Sequence, residues 1–136
     1  MGFNFRDDFH YEYRMQFPHQ GICPEGWHIP SEEEFQQLLI IDASKLMASV
    51  GWDDYGLCGK HSDEYGFSAL PIGGFQIYGS PHGYFDQSTT AYFWSTKQLG
   101  QEQTYVYVLR GSKGGCEANY IPLSKTDARA VRCVKD

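Results

Sequence analysis

The chain has 136 residues, enough for one domain with a single proper core, and its 10 Tyr, 9 Phe, 3 Trp and 15 Gly describe a loop-rich fold resting on rings rather than a helical bundle or a disordered tail. A formal net charge of -6, without a basic stripe or a Lys/Arg cluster, excludes nucleic acid and anionic membrane as main partners. No run approaches the length of a membrane span, so direct membrane insertion is not expected.

Taken in chain order, residues 1–21 are polar and aromatic, with Phe3, Phe5, Phe9, Tyr11 and Tyr13 at near-alternating positions; they are read as an N-terminal strand or extension preceding a domain over 22–136. The start, Met1-Gly2-Phe3-Asn4-Phe5-Arg6, has neither a cationic region nor an apolar core, so no signal sequence is expected within it. Pro30, Ser31 and Glu34 then spell a capping box, and Glu32 and Glu33 lie on the positive end of the helix dipole. Phe35, Leu38 and Leu39 give that helix one apolar face. A second helix is expected over 43–50, where Leu46, Met47 and Val50 share a face and Gly51 follows as a C-terminal cap.

From Gly56 onward short apolar runs are broken by Gly, Pro, Ser and Asn, which predicts strands at 67–70, 74–78, 92–96, 104–110 and 128–134. In 104–110, Tyr105, Tyr107 and Leu109 alternate with Val106 and Val108. Both faces are apolar, so this strand should be central. Helices first and antiparallel strands after make an α+β organisation.

The four cysteines, at 23, 58, 116 and 133, form no C-x-x-C pair. An even, widely spaced set favours structural disulfides and an oxidising compartment, with free buried thiols as the alternative. Among His10, His19, His28, His61 and His82 there is no metal-binding spacing, and Cys58 with His61 would need two more zinc ligands. Asp53, Asp54, Asp63 and Glu64 are read as solvated loop acids rather than a calcium site. No nucleophile motif such as G-x-S-x-G occurs. No metal, cofactor or catalytic residue is therefore assigned.

Several strings combine in order: Cys23-Pro24-Glu25-Gly26-Trp27-His28-Ile29-Pro30, Gly51-Trp52, Asp63-Glu64-Tyr65-Gly66-Phe67-Ser68-Ala69-Leu70-Pro71, Gly73-Gly74-Phe75, Tyr92-Phe93-Trp94-Ser95-Thr96 and Val131-Arg132-Cys133. Over about residues 22–136 the chain resembles the Fibrobacter succinogenes major paralogous domain family (FISUMP). It departs where the family usually has Gly-Gly-Tyr-Arg, here Gly73-Gly74-Phe75-Gln76, and where Ala128-Arg129-Ala130 replaces Gly-Phe-Ser.

The resemblance implies a C-type-lectin-like fold: two helices, then a twisted antiparallel sheet with a long loop region. It also implies a Cys23–Cys133 bridge with Cys58–Cys116 nested inside, and an exported, surface or lipoprotein-associated protein without established enzymatic activity. Trp27 and Trp94 fall in family strings and are expected in the core. Trp52, Tyr78, His82, Tyr84, Tyr105, Tyr107, Asn119 and Tyr120 are the candidate contacts to a glycan or protein ligand, since a ring offers an apolar face and a polar tip. The expected function is a non-catalytic extracellular or cell-surface binding module. A structural module of a surface appendage is the alternative, and a lectin-fold enzyme the third reading.

Overall fold

The computed structural model describes residues 18–53, 61–80, 82–112 and 114–136. The expected N-terminal strand, Asp54 and Cys58 lie outside the described residues. In chain order the elements are β1 (Trp27–His28), α1 (Glu32–Leu39), β2 (Gly74–Gln76), β3 (Gly83–Phe85), β4 (Thr90–Leu99), β5 (Gln103–Ser112), β6 (Gly115–Ser124) and β7 (Val134–Lys135). Among the described residues they form three small antiparallel sheets, β1-β7, β2-β3 and β4-β5-β6, with one α-helix. The fold is mostly β, which corrects the α+β, C-type-lectin-like expectation.

The helix starts where its sequence says it should. Ser31 Oγ accepts from Glu34 N at 3.3 Å and Glu34 Oε2 accepts from Ser31 N at 2.8 Å, so two orphan donors of the first turn are satisfied reciprocally. The second expected helix is instead a single 3-10 turn at Ala43–Lys45, capped by Asp42. Leu46, Met47 and Ala48 are buried, but their backbone bonds across the chain to a buried residue: Ala48 N donates to Ala69 O at 2.9 Å and Ala69 N to Leu46 O at 3.0 Å. Those groups are spent across the chain and cannot serve a helix ladder. The expected strand at 67–70 reduces to this bridge, Met47 to Ala69.

The central sheet orders the core. As its pattern requires, β5 lies between β4 and β6, with Tyr107 opposite Phe93 and Tyr120, and Val108 opposite Tyr92 and Asn119. On one face Phe35 of α1 stacks on Tyr107, centroids 5.0 Å apart, within a cluster including Leu46, Met47, Ala91, Phe93 and Leu109. On the other face Tyr92, Val106 and Val108 pack with Phe85, Trp94 and Leu123. The ten-residue β6 was not foreseen, because Gly115, Asn119 and Pro122 read as turn residues. Among the described residues β6 is an edge strand, where a proline is tolerated. Trp27 is 40 % exposed and is not the core residue expected.

The two ends of the described chain meet beside α1. Cys23 and Cys133 form a disulfide across a separation of 110 residues, and β1 pairs with β7 through Trp27–Lys135 and His28–Val134. Cys116 is also disulfide-bonded; its expected partner, Cys58, lies outside the described residues. The buried His28 uses both ring nitrogens: Nδ1 lies 2.7 Å from Asp136 Oδ1 and Nε2 lies 2.8 Å from Glu34 Oε1. Burial alone would push this imidazole down, but the hydrogen bonds and negative charges of Asp136 and Glu34 outweigh it and raise its pKa above 6.5. Burial likewise works against the Glu34 carboxylate, yet the Ser31 N–H and His28 hold it below 4.5.

Replacing Cys23 and Cys133 by serine is expected to lower unfolding free energy by about 4–5 kcal/mol in the chain-entropy model. Urea unfolding of oxidised wild type against the double variant measures this, and coincident curves would refute it. The His28 clamp adds a pH dependence. Because the folded pKa of His28 is raised, its contribution is complete below 6.5 and is lost as pH climbs through the folded value. Because that of Glu34 is depressed, its contribution is complete above 4.5 and is lost as pH falls through the folded value. The stability gap between wild type and His28→Gln should therefore be widest between pH 4.5 and 6.5 and narrow above. A gap that is flat from pH 5 to 9 would count against the clamp.

Candidate functional site

The chain enters the β2–β3 hairpin through Gly73, at φ +66°, where a side chain would collide with the backbone carbonyl of Phe85. The hairpin base is tied on two sides. Gly73 N donates to Thr90 O at 2.9 Å, and Phe75 and Ala128 exchange backbone hydrogen bonds at 2.9 and 2.8 Å. Ala128 thus serves as backbone partner to the hairpin. Above this base Phe75 meets Tyr84 edge-on at 4.9 Å. Tyr78 is 71 % and Tyr84 72 % exposed, with Ile77 at 52 %, and His82 is exposed. Three of the expected contact residues, Tyr78, His82 and Tyr84, therefore share one hairpin.

The other five lie elsewhere. Tyr107 is fully buried beneath α1 and offers no surface. Tyr120 stacks on Tyr105 at 5.1 Å, and its hydroxyl lies 2.7 Å from Ser95 Oγ. Burial dominates there, raising the phenol to about 12 despite the Ser95 bond. Trp52 packs against the core cluster and donates its indole N–H to Ala69 O at 3.0 Å. Asn119 is exposed on β6. Apart from Asn119 these positions belong to the frame, whereas the hairpin set projects.

A concavity lies at a β-bulge, where the β4–β5 register shifts between Trp94 and Gln98. Along β4, which among the described residues is an edge strand of this sheet, Thr96 N donates to Pro30 O and Trp94 N to Ala130 O, both at 3.0 Å. The resulting cleft encloses about 250 Å³. Its walls are mainly apolar, from Ile22, Ile29, Trp94 and Val131, and Gln98 and Lys125 also line it. Behind Trp94 the Arg129 guanidinium sits over three rings, 5.8 Å from the Phe85 centroid, 5.4 Å from Tyr92 and 5.2 Å from Trp94. It also bonds Ser124 O at 2.9 Å and Asp127 Oδ2 at 3.0 Å. This cation–π cage fixes the inner side of the indole. Sequence reasoning assigned Trp94 to the core and did not see the cleft, whose walls come from three distant segments. The one available signal was the Trp-Ser-Thr string, where small polar residues interrupt a strand.

The polar groups nearby are committed to structure. Ser95 Oγ donates to Tyr105 O at 2.8 Å, and Thr104 Oγ1 to Lys97 O at 2.6 Å. The loop acids are engaged too: Asp63 accepts from Ser68 N and Oγ, and Glu64 pairs with Lys45 at 3.1 Å. Those Ser68 hydrogen bonds hold the Asp63 carboxyl below its usual range. Among the described residues no three His, Cys, Asp or Glu side chains are grouped to hold a metal ion, and no helix is long and apolar enough to cross a membrane.

Neither a curated protein nor a solved structure matches the chain. A family model does, and its match covers residues 6–135, reaching into the N-terminal segment that the sequence reading set apart from the domain. By that match the chain belongs to the Fibrobacter succinogenes major domain family (Fib_succ_major).

Proposed function

We propose that this chain is a non-catalytic binding module, working at the cell surface or outside the cell, that recognises a glycan or protein partner through the β2–β3 hairpin. The observation that carries the reading is the pair of projecting rings, Tyr78 and Tyr84, on a hairpin whose base is held by Gly73, Phe75 and Ala128. A tethered base lowers the entropy lost on binding, while exposed tyrosines supply contact area at two side-chain torsions each. The Cys23–Cys133 disulfide supports an oxidising compartment.

An assembly role within a surface structure is a second reading. It is favoured by the aliphatic exposure beside the rings, Ile72 at 55 % and Ile77 at 52 %, which suits a protein contact better than a sugar.

A glycan array together with pull-down from cell-surface extracts, run with wild type and with Tyr78→Ala/Tyr84→Ala, tests the proposal. The double variant is expected to keep its fold and lose at least about tenfold in affinity, equivalent to about 1.4 kcal/mol. Equal capture by both proteins would refute the hairpin as the recognition surface. A concentration-dependent oligomer dissolved by the same substitutions would select the assembly reading.

A further inference from the structure

We propose that the cleft beside the β4 bulge is a second binding site, which takes the apolar portion of a carboxylate ligand and pairs its charge with Lys125. This site shares no residue with the hairpin, so the two readings stand or fall separately.

Size and lining set the apolar portion. A dry cavity of about 150 Å³ holds a benzene molecule, so 250 Å³ accommodates a ring with a short chain or a medium-length alkyl group. The walls of Ile22, Ile29, Trp94 and Val131 reward such a group by apolar burial. A sugar fits the chemistry poorly. Its hydroxyls would need partners, and the Ser95 and Thr104 hydroxyls lining the cleft already donate within the sheet. Burial also holds His19, on the same wall, below its usual pKa, so it adds no charge at neutral pH.

Charge sets the other end. Asp127 on the lining is neutralised by Arg129 at 3.0 Å. Lys125 Nζ bonds only the neutral amide oxygen of Gln98, at 2.8 Å, and makes no ion pair among the described residues. Among the described residues the cleft therefore carries one uncompensated positive charge, within a chain of net charge -6. A half-buried ammonium next to an apolar cavity gains most from a single carboxylate in the bound ligand. A phosphate would bring a second negative charge, and the fork of donors that usually receives it is occupied, since the Arg129 guanidinium is already bonded to Asp127 and Ser124.

Two sources offer this chemistry: a free aliphatic or aryl-alkyl acid, and the C-terminal carboxylate of a polypeptide ending in an apolar residue. Calorimetric titration of the intact oxidised protein with 3-phenylpropionate, 3-phenylpropionamide, and an acetylated peptide ending in free or amidated phenylalanine separates them. The acids are expected to bind at least tenfold more tightly than their amides. Lys125→Gln should bring each acid to the level of its amide and leave the amides unchanged. Ile22 is 66 % exposed, so Ile22→Glu changes the mouth without disturbing the core and should weaken the acids further than the amides. Tyr84→Ala should leave all these affinities as they were. Tighter binding of the free-acid peptide than of 3-phenylpropionate assigns the polypeptide end as the source, and the reverse assigns the small acid. Equal binding of acid and amide, an acid preference that survives Lys125→Gln, or no heat from any of the four at millimolar concentration would overturn the proposal.

Discussion

The closure of the chain on itself beside α1 is the constraint on which the remaining geometry depends. Cys23–Cys133 brings the segments together, but a single covalent bond does not fix how two strands align. His28 supplies that alignment. Placed opposite Val134 in the β1–β7 pair, it reaches Glu34 on one side and Asp136 on the other. A one-residue slip would turn His28 to the opposite face of the pair and break both contacts. The disulfide acts mainly by restricting the unfolded chain, whereas the histidine clamp selects among folded arrangements. The capping box is part of the same network, because Glu34 serves Ser31 and His28 with its two oxygens.

With both ends anchored, the three-stranded sheet is covered differently on its two faces. One face receives α1 and the 42–48 segment, giving a conventional apolar cluster around Phe35 and Tyr107. The other face has no helix among the described residues. Phe85, Trp94 and Arg129 cover it instead. Burying a guanidinium is costly unless it is paired, and here Asp127, the Ser124 carbonyl and three ring faces provide the compensation. A loop residue thus completes the layer on this face.

Parts of this arrangement were legible in the sequence because the signal was local. Ser31 and Glu34 state a helix start within four residues, and the double-sided apolar pattern of 104–110 states a central strand. Other parts depended on distant partners. Leu46 and Met47 have helical spacing, but Ala69 takes their backbone bonds, and nothing near residue 46 announces that. Pro122 and Asn119 hide a ten-residue strand whose edge position makes them tolerable. The candidate rings failed to sort for a similar reason. Alternation told which of Tyr105, Val106 and Tyr107 share a face, but only the placement of α1 decides that Tyr107 is sealed while Tyr84 projects. The cleft was illegible altogether, since its walls come from residues near 22, 94 and 125 that no sequence window contains.

The segment 125–131 ties the hairpin and the cleft to one support. Ala128 pairs with Phe75 at the hairpin base, Arg129 cages the inner face of Trp94, and Ala130 accepts from Trp94 N. Lys125, Asp127 and Val131 line the cleft. Features on each side therefore rest on one short stretch, a turn at 125–127 followed by the bridge residues Ala128 and Ala130. This also explains why substitutions within Ala128–Ala130 would disturb both places at once, whereas Tyr84 and Lys125 each stand on one side only. Small Ala128 and Ala130 keep the backbone close to Phe75 and Phe93, and the residue between them delivers the cation.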